Sequence, residues 1–158
     1  MDQHLEYMHE ALEMAAKAEE TGEVPVGAVV VSGSGVIIGR GYNRPIQSDD
    51  CTAHAEMEAI RQACQHQSNY RLTDCDIYVT LEPCAMCAGA IVHSRIKKLF
   101  FAASDQKTGA CGSVFDVVSN NPTGHKVDVE AGILADESRE LIQSFFKRRR
   151  EEKKQQKG

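Results

Sequence analysis

The 158-residue sequence predicts an α/β domain in which a mixed sheet of about five strands lies between helices, a three-layer α/β/α arrangement. Three observations carry that expectation. Apolar runs of strand length recur along the chain, amphipathic stretches of helical period alternate with them, and Gly-, Pro- and Ser-rich punctuation separates the two. No linker, internal repeat or low-complexity segment interrupts the pattern, so residues 1–158 read as a single domain able to bury one core.

The elements follow in order. Asp2 is placed to cap a helix running to about Thr21, with Leu5, Met8, Leu12 and Ala15 or Ala16 as its apolar face and Gly22 as its stop. The runs 26–31 and 36–41 flank Ser32-Gly33-Ser34-Gly35, which signals a β-hairpin. A helix starting near His54 comes next, then a strand over 76–81 and a helix from Cys84 to about Ser94. Residues 98–102 read as a strand and 126–130 as a shorter, weaker one. The last helix runs from about Ala135 toward Lys154, with Leu134, Leu141, Ile142, Phe145 and Phe146 on its inner side.

Composition narrows the function class only a little. No apolar run approaches membrane-spanning length, and Met1-Asp2-Gln3-His4-Leu5-Glu6 lacks the basic and apolar regions of a signal peptide. Six cysteines without an export signal point to reduced thiols and a cytoplasmic location. The net charge of −5 argues against a protein coated in nucleic acid, but it is unevenly spread. Residues 147–158 hold seven basic and two acidic side chains, a local +5, leaving −10 elsewhere. The run Lys147-Arg148-Arg149-Arg150 reads either as a solvated helix end that favours the helix dipole or as a phosphate-binding arm, with Arg149 in its middle. Phe145 and Phe146 directly precede it; a ring not packed in the core would be able to stack on a base.

Chemistry concentrates in two short motifs thirty residues apart, His54-Ala55-Glu56 and Pro83-Cys84-Ala85-Met86-Cys87. One histidine and two cysteines give three zinc-type ligands, one short of a closed structural site, so a bound metal keeps a position open for water. Residues i and i+2 of a helix point to nearly opposite sides, so His54 and Glu56 share a site only if His54 is the cap and Glu56 lies just inside the first turn. Cys84 and Cys87, at i and i+3, are expected on one face of a helix whose first turn Pro83 opens. Two helix N-termini would then aim their positive dipole ends at the metal.

Taken singly, each motif has plainer readings. A Cys-x-x-Cys also occurs as a redox pair, a structural zinc half-site or two buried thiols, and a histidine at a helix start as a cap. A structural zinc needs a fourth ligand, and none stands at partner spacing. Cys51, three residues before His54, is the one thiol left open as a neighbour of the metal; it, Cys64, Cys75 and Cys111 otherwise read as buried small apolar residues. His93 and His125 have no partner spacing; RNA contact is open to both, but surface or packing roles fit them better.

The combination resembles the H-x-E…P-C-x-x-C signature of the zinc-dependent cytidine and deoxycytidylate deaminase superfamily. Residues 22–29, 42–45, 52–57, 78–84, 86–91, 105–109 and 132–137 are similar, in order, to the bacterial tRNA adenosine deaminases of that superfamily, so the resemblance covers nearly the whole chain. It implies the cytidine-deaminase-like fold, one Zn2+ per chain held by His54, Cys84 and Cys87, and Glu56 as the general acid/base. It implies the conversion of adenosine to inosine at the wobble position of a tRNA anticodon loop by a homodimer. By the same resemblance Asn43 holds the substrate nucleoside and Asp105 lies near the ribose, where a carboxylate would accept from the 2′-hydroxyl. Lys107 is then a phosphate contact, and Val26 and Ala55 line the base pocket. From the residues alone, Asn43 and Asp105 read equally as turn residues. Two competing readings share the motifs. One is a deaminase of a free nucleoside, nucleotide or base (cytidine, deoxycytidylate or guanine), which needs no basic arm. The other is a non-catalytic RNA-binding module with structural zinc, which leaves Glu56 unexplained.

Overall fold

Asp2 caps the first helix as its position in the sequence predicts. Its side chain accepts from the His4 N–H at 2.9 Å, and α1 (Gln3–Glu20) runs until Gly22 takes φ +82°. In the computed structural model, which describes residues 2–157, Met1 and Gly158 of the predicted domain lie outside the described residues. α1 buries Met8, Ala11, Met14, Ala15 and Ala18. Leu5, expected on that face, is 41% exposed because the buried stripe begins one turn later.

The predicted hairpin is β1 (Gly27–Val31) and β2 (Ile37–Tyr42), antiparallel, with a register shift between Val30 and Val31. On its other side β1 pairs antiparallel with β3 (Asp76–Leu81). Beyond that, β3 pairs parallel with β4 (Lys98–Ala103), and β4 parallel with β5 (Asp128–Ala131). The order β2-β1-β3-β4-β5 is a mixed five-stranded sheet, in agreement with the sequence. Strand β5 begins two residues later than predicted and is exposed along its length, as a short edge strand can be.

Alternate residues of the strands feed two cores. On one face Met8 and Ala11 of α1 meet Val29, Val31, Tyr78, Phe100 and Ala102, closed by Ile133 and Leu134 ahead of the last helix. The opposite face, formed by Ala28, Val30, Ile77, Val79, Leu99 and Phe101, is covered by α3 (Ala55–Gln67) and α4 (Ala85–His93). The long connection from β4 to β5 adds Ala110, Cys111, Val118 and Val127 to the same core. Helix packing on the hairpin is close enough to require glycine. A Cβ on Gly27 would stand 2.0 Å from the Ala11 carbonyl oxygen, and one on Gly41 2.3 Å from that of Ala55.

Two features depart from the sequence reading. Residues Pro45–Ser48 form a short helix, α2, whose amides at Ile46 and Gln47 are met by the buried carboxylate of Glu23 at 3.4 and 2.7 Å. That support comes from far along the chain, so local spacing does not reveal it. The last helix, α5 (Ala135–Lys157), carries the basic end as continuous helix. Phe145 is buried in it, but Phe146, expected on the inner side, is 43% exposed. Successive helical residues point about 100° apart, and here Phe145 takes the inward direction while Phe146 points off the core.

Candidate metal centre and substrate pocket

Both metal motifs sit at helix N-caps. His54 caps α3 with φ −80° and ψ 156°, and Cys84 caps α4 with φ −75° and ψ 177°. Extended backbone at each cap turns the side chain off the helix, and neither makes the usual side-chain cap bond. Glu56 then lies in the first turn of α3, which resolves the i, i+2 difficulty as predicted. Cys87 lies in the first turn of α4 and faces Cys84 as cap to third residue, not as two residues of one helical face. Pro83 precedes the cap and so does not open the first turn; its carbonyl accepts instead from Ala110 N–H at 2.8 Å.

The three donor atoms fit a tetrahedral zinc. His54 Nδ1 stands 3.6 Å from Cys84 Sγ and 3.5 Å from Cys87 Sγ. Ordinary Zn–S and Zn–N bond lengths at a tetrahedral angle give an N···S edge of roughly 3.5–3.6 Å. All three atoms lie within 4.8 Å of one another, and no fourth His, Cys, Asp or Glu joins them among the described residues. Of the two thiols, Cys84 is the one held toward the thiolate that a metal binds. Hydrogen bonds from Cys87 and His54 hold Cys84 down to about 4, well below an ordinary thiol, while its interaction with Cys84 pushes Cys87 up. The same contact with Cys84 raises His54 above its usual range.

Glu56 is 3% exposed, and its Oε1 has no hydrogen-bond partner in the protein. Burial pushes its carboxyl up to about 7. An unpartnered carboxylate oxygen in an interior is costly unless something at the site engages it. A group poised near neutrality is also suited to both accepting and returning a proton.

A pocket of about 140 Å³ opens beside these residues, lined by Val24, Val26, Asn43, His54, Glu56, Leu81, Glu82, Cys84, Asp105 and Thr108. It therefore brings together Val26, Asn43 and Asp105 with the metal motif. Asn43 also supplies the cap that His54 does not, its Oδ1 accepting from Ala55 N–H at 3.0 Å. Asp105 binds its own loop: Oδ1 accepts from Lys107 N–H at 3.0 Å and Thr108 N–H at 3.2 Å, and Oδ2 from the Thr108 hydroxyl at 2.9 Å. Its turn role is thus visible alongside its place at the pocket. Ala55 does not line the pocket; it is wholly buried in the core beneath the site. Lys107 is exposed outside the pocket.

At the far end of the chain, Phe145 is 6% exposed under the Arg149 guanidinium, 5.0 Å from ring centroid to Cζ. Arg149 also donates to the Gly22 carbonyl, and Arg148 pairs with Glu19 at 3.2 Å. Packing thus withdraws Phe145 from any base and ties Arg149 to the body, leaving Phe146 as the exposed ring. Cys75 and Cys111 are buried as expected, whereas Cys51 is exposed and stands apart from the ligand cluster. His125 packs by bonding the Ile96 carbonyl at 2.9 Å, and His93 is exposed.

Sequence reasoning missed Glu82 and Glu23, two carboxylates buried to within 2% of full. Glu82 was readable in part: a charge at the end of an apolar strand, directly before Pro83-Cys84, needs a reason.

Residues 1–103 match the cytidine and deoxycytidylate deaminase zinc-binding region. The chain is 53% identical over 151 residues to the tRNA-specific adenosine deaminase of Haemophilus influenzae, covering 96% of this chain and 87% of that one. A solved structure from studies of A-to-I editing by tRNA:A34 deaminases at the wobble position of transfer RNA superposes with a TM-score of 0.83 at 44% identity, over 86% of this chain and 98% of that one. The X-ray structure of guanine deaminase from Bacillus subtilis matches with a TM-score of 0.63 at 41% identity, over 73% and 72%. The matched zinc-binding region, the relative and the shared fold together place this chain in the cytidine and deoxycytidylate deaminase zinc-binding family, among its tRNA-specific adenosine deaminases.

Proposed function

We propose that this chain hydrolytically deaminates adenosine to inosine at the wobble position of a tRNA anticodon loop. The observation that carries the reading is the buried, unpartnered Oε1 of Glu56 beside three donors spaced for zinc, in a pocket with room for about one heterocycle. The identity to tRNA-specific adenosine deaminases supports the substrate.

His54, Cys84 and Cys87 would hold the metal, one per chain. Bound zinc supplies a water whose pKa is lowered toward neutrality, with a fourth position left open for it. Glu56 does the proton work: it takes the proton of the attacking water, gives it to a ring nitrogen, and serves the departing ammonia in turn. The target base must leave the loop's stack to enter so small a pocket. Val26 packs against it, Asn43 holds the nucleoside, and Asp105 lies by the ribose. Phe146 and the basic end of α5, Lys147 and Arg150 foremost, meet RNA outside the pocket. Exposed Val114 and Phe115, 46% and 58% accessible on the connection beside the site, support a homodimer. The protein would act in the cytoplasm, where its tRNA substrate is.

One finding favours a second reading, deamination of a free base: the 41% identity to a guanine deaminase. Reaction of the RNA separates the two, and placement of the adenosine tests the wobble position. An anticodon stem-loop with adenosine at the wobble position is expected to yield inosine, whereas the same loop with adenosine moved one position along is expected to yield almost none. Equal yields from both would refute position-specific editing.

A further inference from the structure

We propose that Glu82 is a positioning residue: its carboxylate folds the 104–113 segment into the substrate-facing wall of the pocket, so RNA binding depends on a group outside the metal-ligand cluster whose hydrogen bonds go to that segment. The inference rests on the deaminase reading above.

The observation is an unusual concentration of donors on one buried carboxylate. Glu82 is 2% exposed and directly follows β3, two residues before Cys84. Its Oε1 accepts from Asp105 N–H at 3.0 Å, and its Oε2 from Cys111 N–H at 3.0 Å and Ser113 N–H at 3.1 Å. The Ser113 hydroxyl also donates to it. These four bonds bring both ends of a segment lacking helix or strand onto one side chain. Within them Pro83 accepts from Ala110 N–H at 2.8 Å, so the fold of the segment is referred directly to the residues that precede the Cys84 cap.

Gly109 is the complement. A Cβ there would stand 2.4 Å from Glu82 Cδ and 2.5 Å from the Asp105 carbonyl oxygen, so the backbone lies directly on the carboxylate. Of the residues this segment contributes to the pocket, Asp105 is one anchored end and Thr108 lies between the anchors. The backbone amide of Asp105 is held by Glu82 while its side chain holds Lys107 and Thr108, so the two carboxylates act in series. Hydrogen bonds to a charged acceptor are stronger than neutral ones, and an amide in the same place would present an N–H to groups that are themselves donors. Glu82→Gln is therefore nearly isosteric and yet unable to satisfy the same four donors.

The test separates positioning from folding through the split between KM and kcat. Wild type and Glu82→Gln are assayed on a stem-loop with adenosine at the wobble position, with bound zinc measured for each. A variant that merely folds poorly lowers the active fraction, and so Vmax and zinc, without moving KM. The positioning role predicts zinc near one per chain, kcat within about threefold of wild type, and KM raised at least about tenfold, the scale of one lost charged hydrogen bond. Ser113→Ala, which removes only the hydroxyl donor, is expected to raise KM by a smaller factor. If Glu82→Gln yields no soluble protein, Gly109→Ala takes its place, with the same rise in KM expected as the new methyl pushes the segment off the carboxylate. Unchanged KM in the variant that folds, or a loss confined to kcat or zinc, would overturn the proposal. Failure of the wild type itself to form inosine would instead strike the deaminase reading.

Discussion

At the residue scale, the site divides labour between groups that hold a metal and one that moves protons. Glu56 contributes no donor atom to the ligand cluster. Replacing it with Gln should therefore leave zinc bound while lowering turnover by at least about a hundredfold, the contribution typical of a general acid/base. Loss of His54, Cys84 or Cys87 should lose zinc as well as turnover, and a metal assay beside the activity assay distinguishes the two classes. The pH dependence of zinc affinity follows from the ligands. Contact with Cys84 raises the His54 pKa, so as pH falls His54 binds a proton earlier than a free histidine would, and that proton must leave before the metal can bind. Zinc affinity is expected to fall as pH drops through His54's ordinary value and the range above it, the raised Cys87 thiol adding a second proton for the metal to displace. Chelator competition across that range measures it, and a flat profile would contradict the ligand assignment.

At the element scale, the sequence was most informative where chemistry and local structure demand the same residue. Asp2 as a cap, Gly22 as a stop, and the 32–35 turn of the hairpin are local signals, and each is found where predicted. The pairing of His54 with Glu56 was legible because an i, i+2 spacing within one site forces the cap position. Side-chain direction in the last helix was not legible: Phe145 and Phe146 are both apolar, and only tertiary packing decides which is buried. The same holds for α2, whose N-terminus is met by Glu23, and for the wall of the pocket, which depends on Glu82. Local patterns do not encode contacts between residues so far apart in sequence. One element-level consequence is measurable. Gly41→Ala would place a methyl against the Ala55 carbonyl, in the first turn of the helix that His54 caps. Overpacking of this kind costs about 1–3 kcal/mol, so a lower Tm together with weaker zinc retention is expected. A variant with unchanged Tm would show that α3 shifts freely on the hairpin.

At the scale of the whole molecule, charge and shape point in different directions along the chain. A body carrying −10 ends in residues 147–158 carrying +5, with Arg148 and Arg149 fastened back to α1 and the turn after it. Replacing Lys147, Arg150, Lys153 and Lys154 with Gln should weaken RNA binding at low salt and flatten its salt dependence while leaving zinc content unchanged. Filter binding over a range of salt concentrations reads this directly. An unaltered salt slope would confine the basic end to a structural role. A polynucleotide adenosine, and not a free base, is the expected substrate of the Glu56 site. This is tested most directly in one tube holding the zinc-loaded protein, an anticodon stem-loop with adenosine at the wobble position, and free adenosine, cytidine and guanine, with products read by mass spectrometry. Inosine in the RNA, untouched free compounds and no inosine from the Glu56→Gln protein are expected; deamination of a free compound alone, or no product from a zinc-loaded wild type, would contradict this reading.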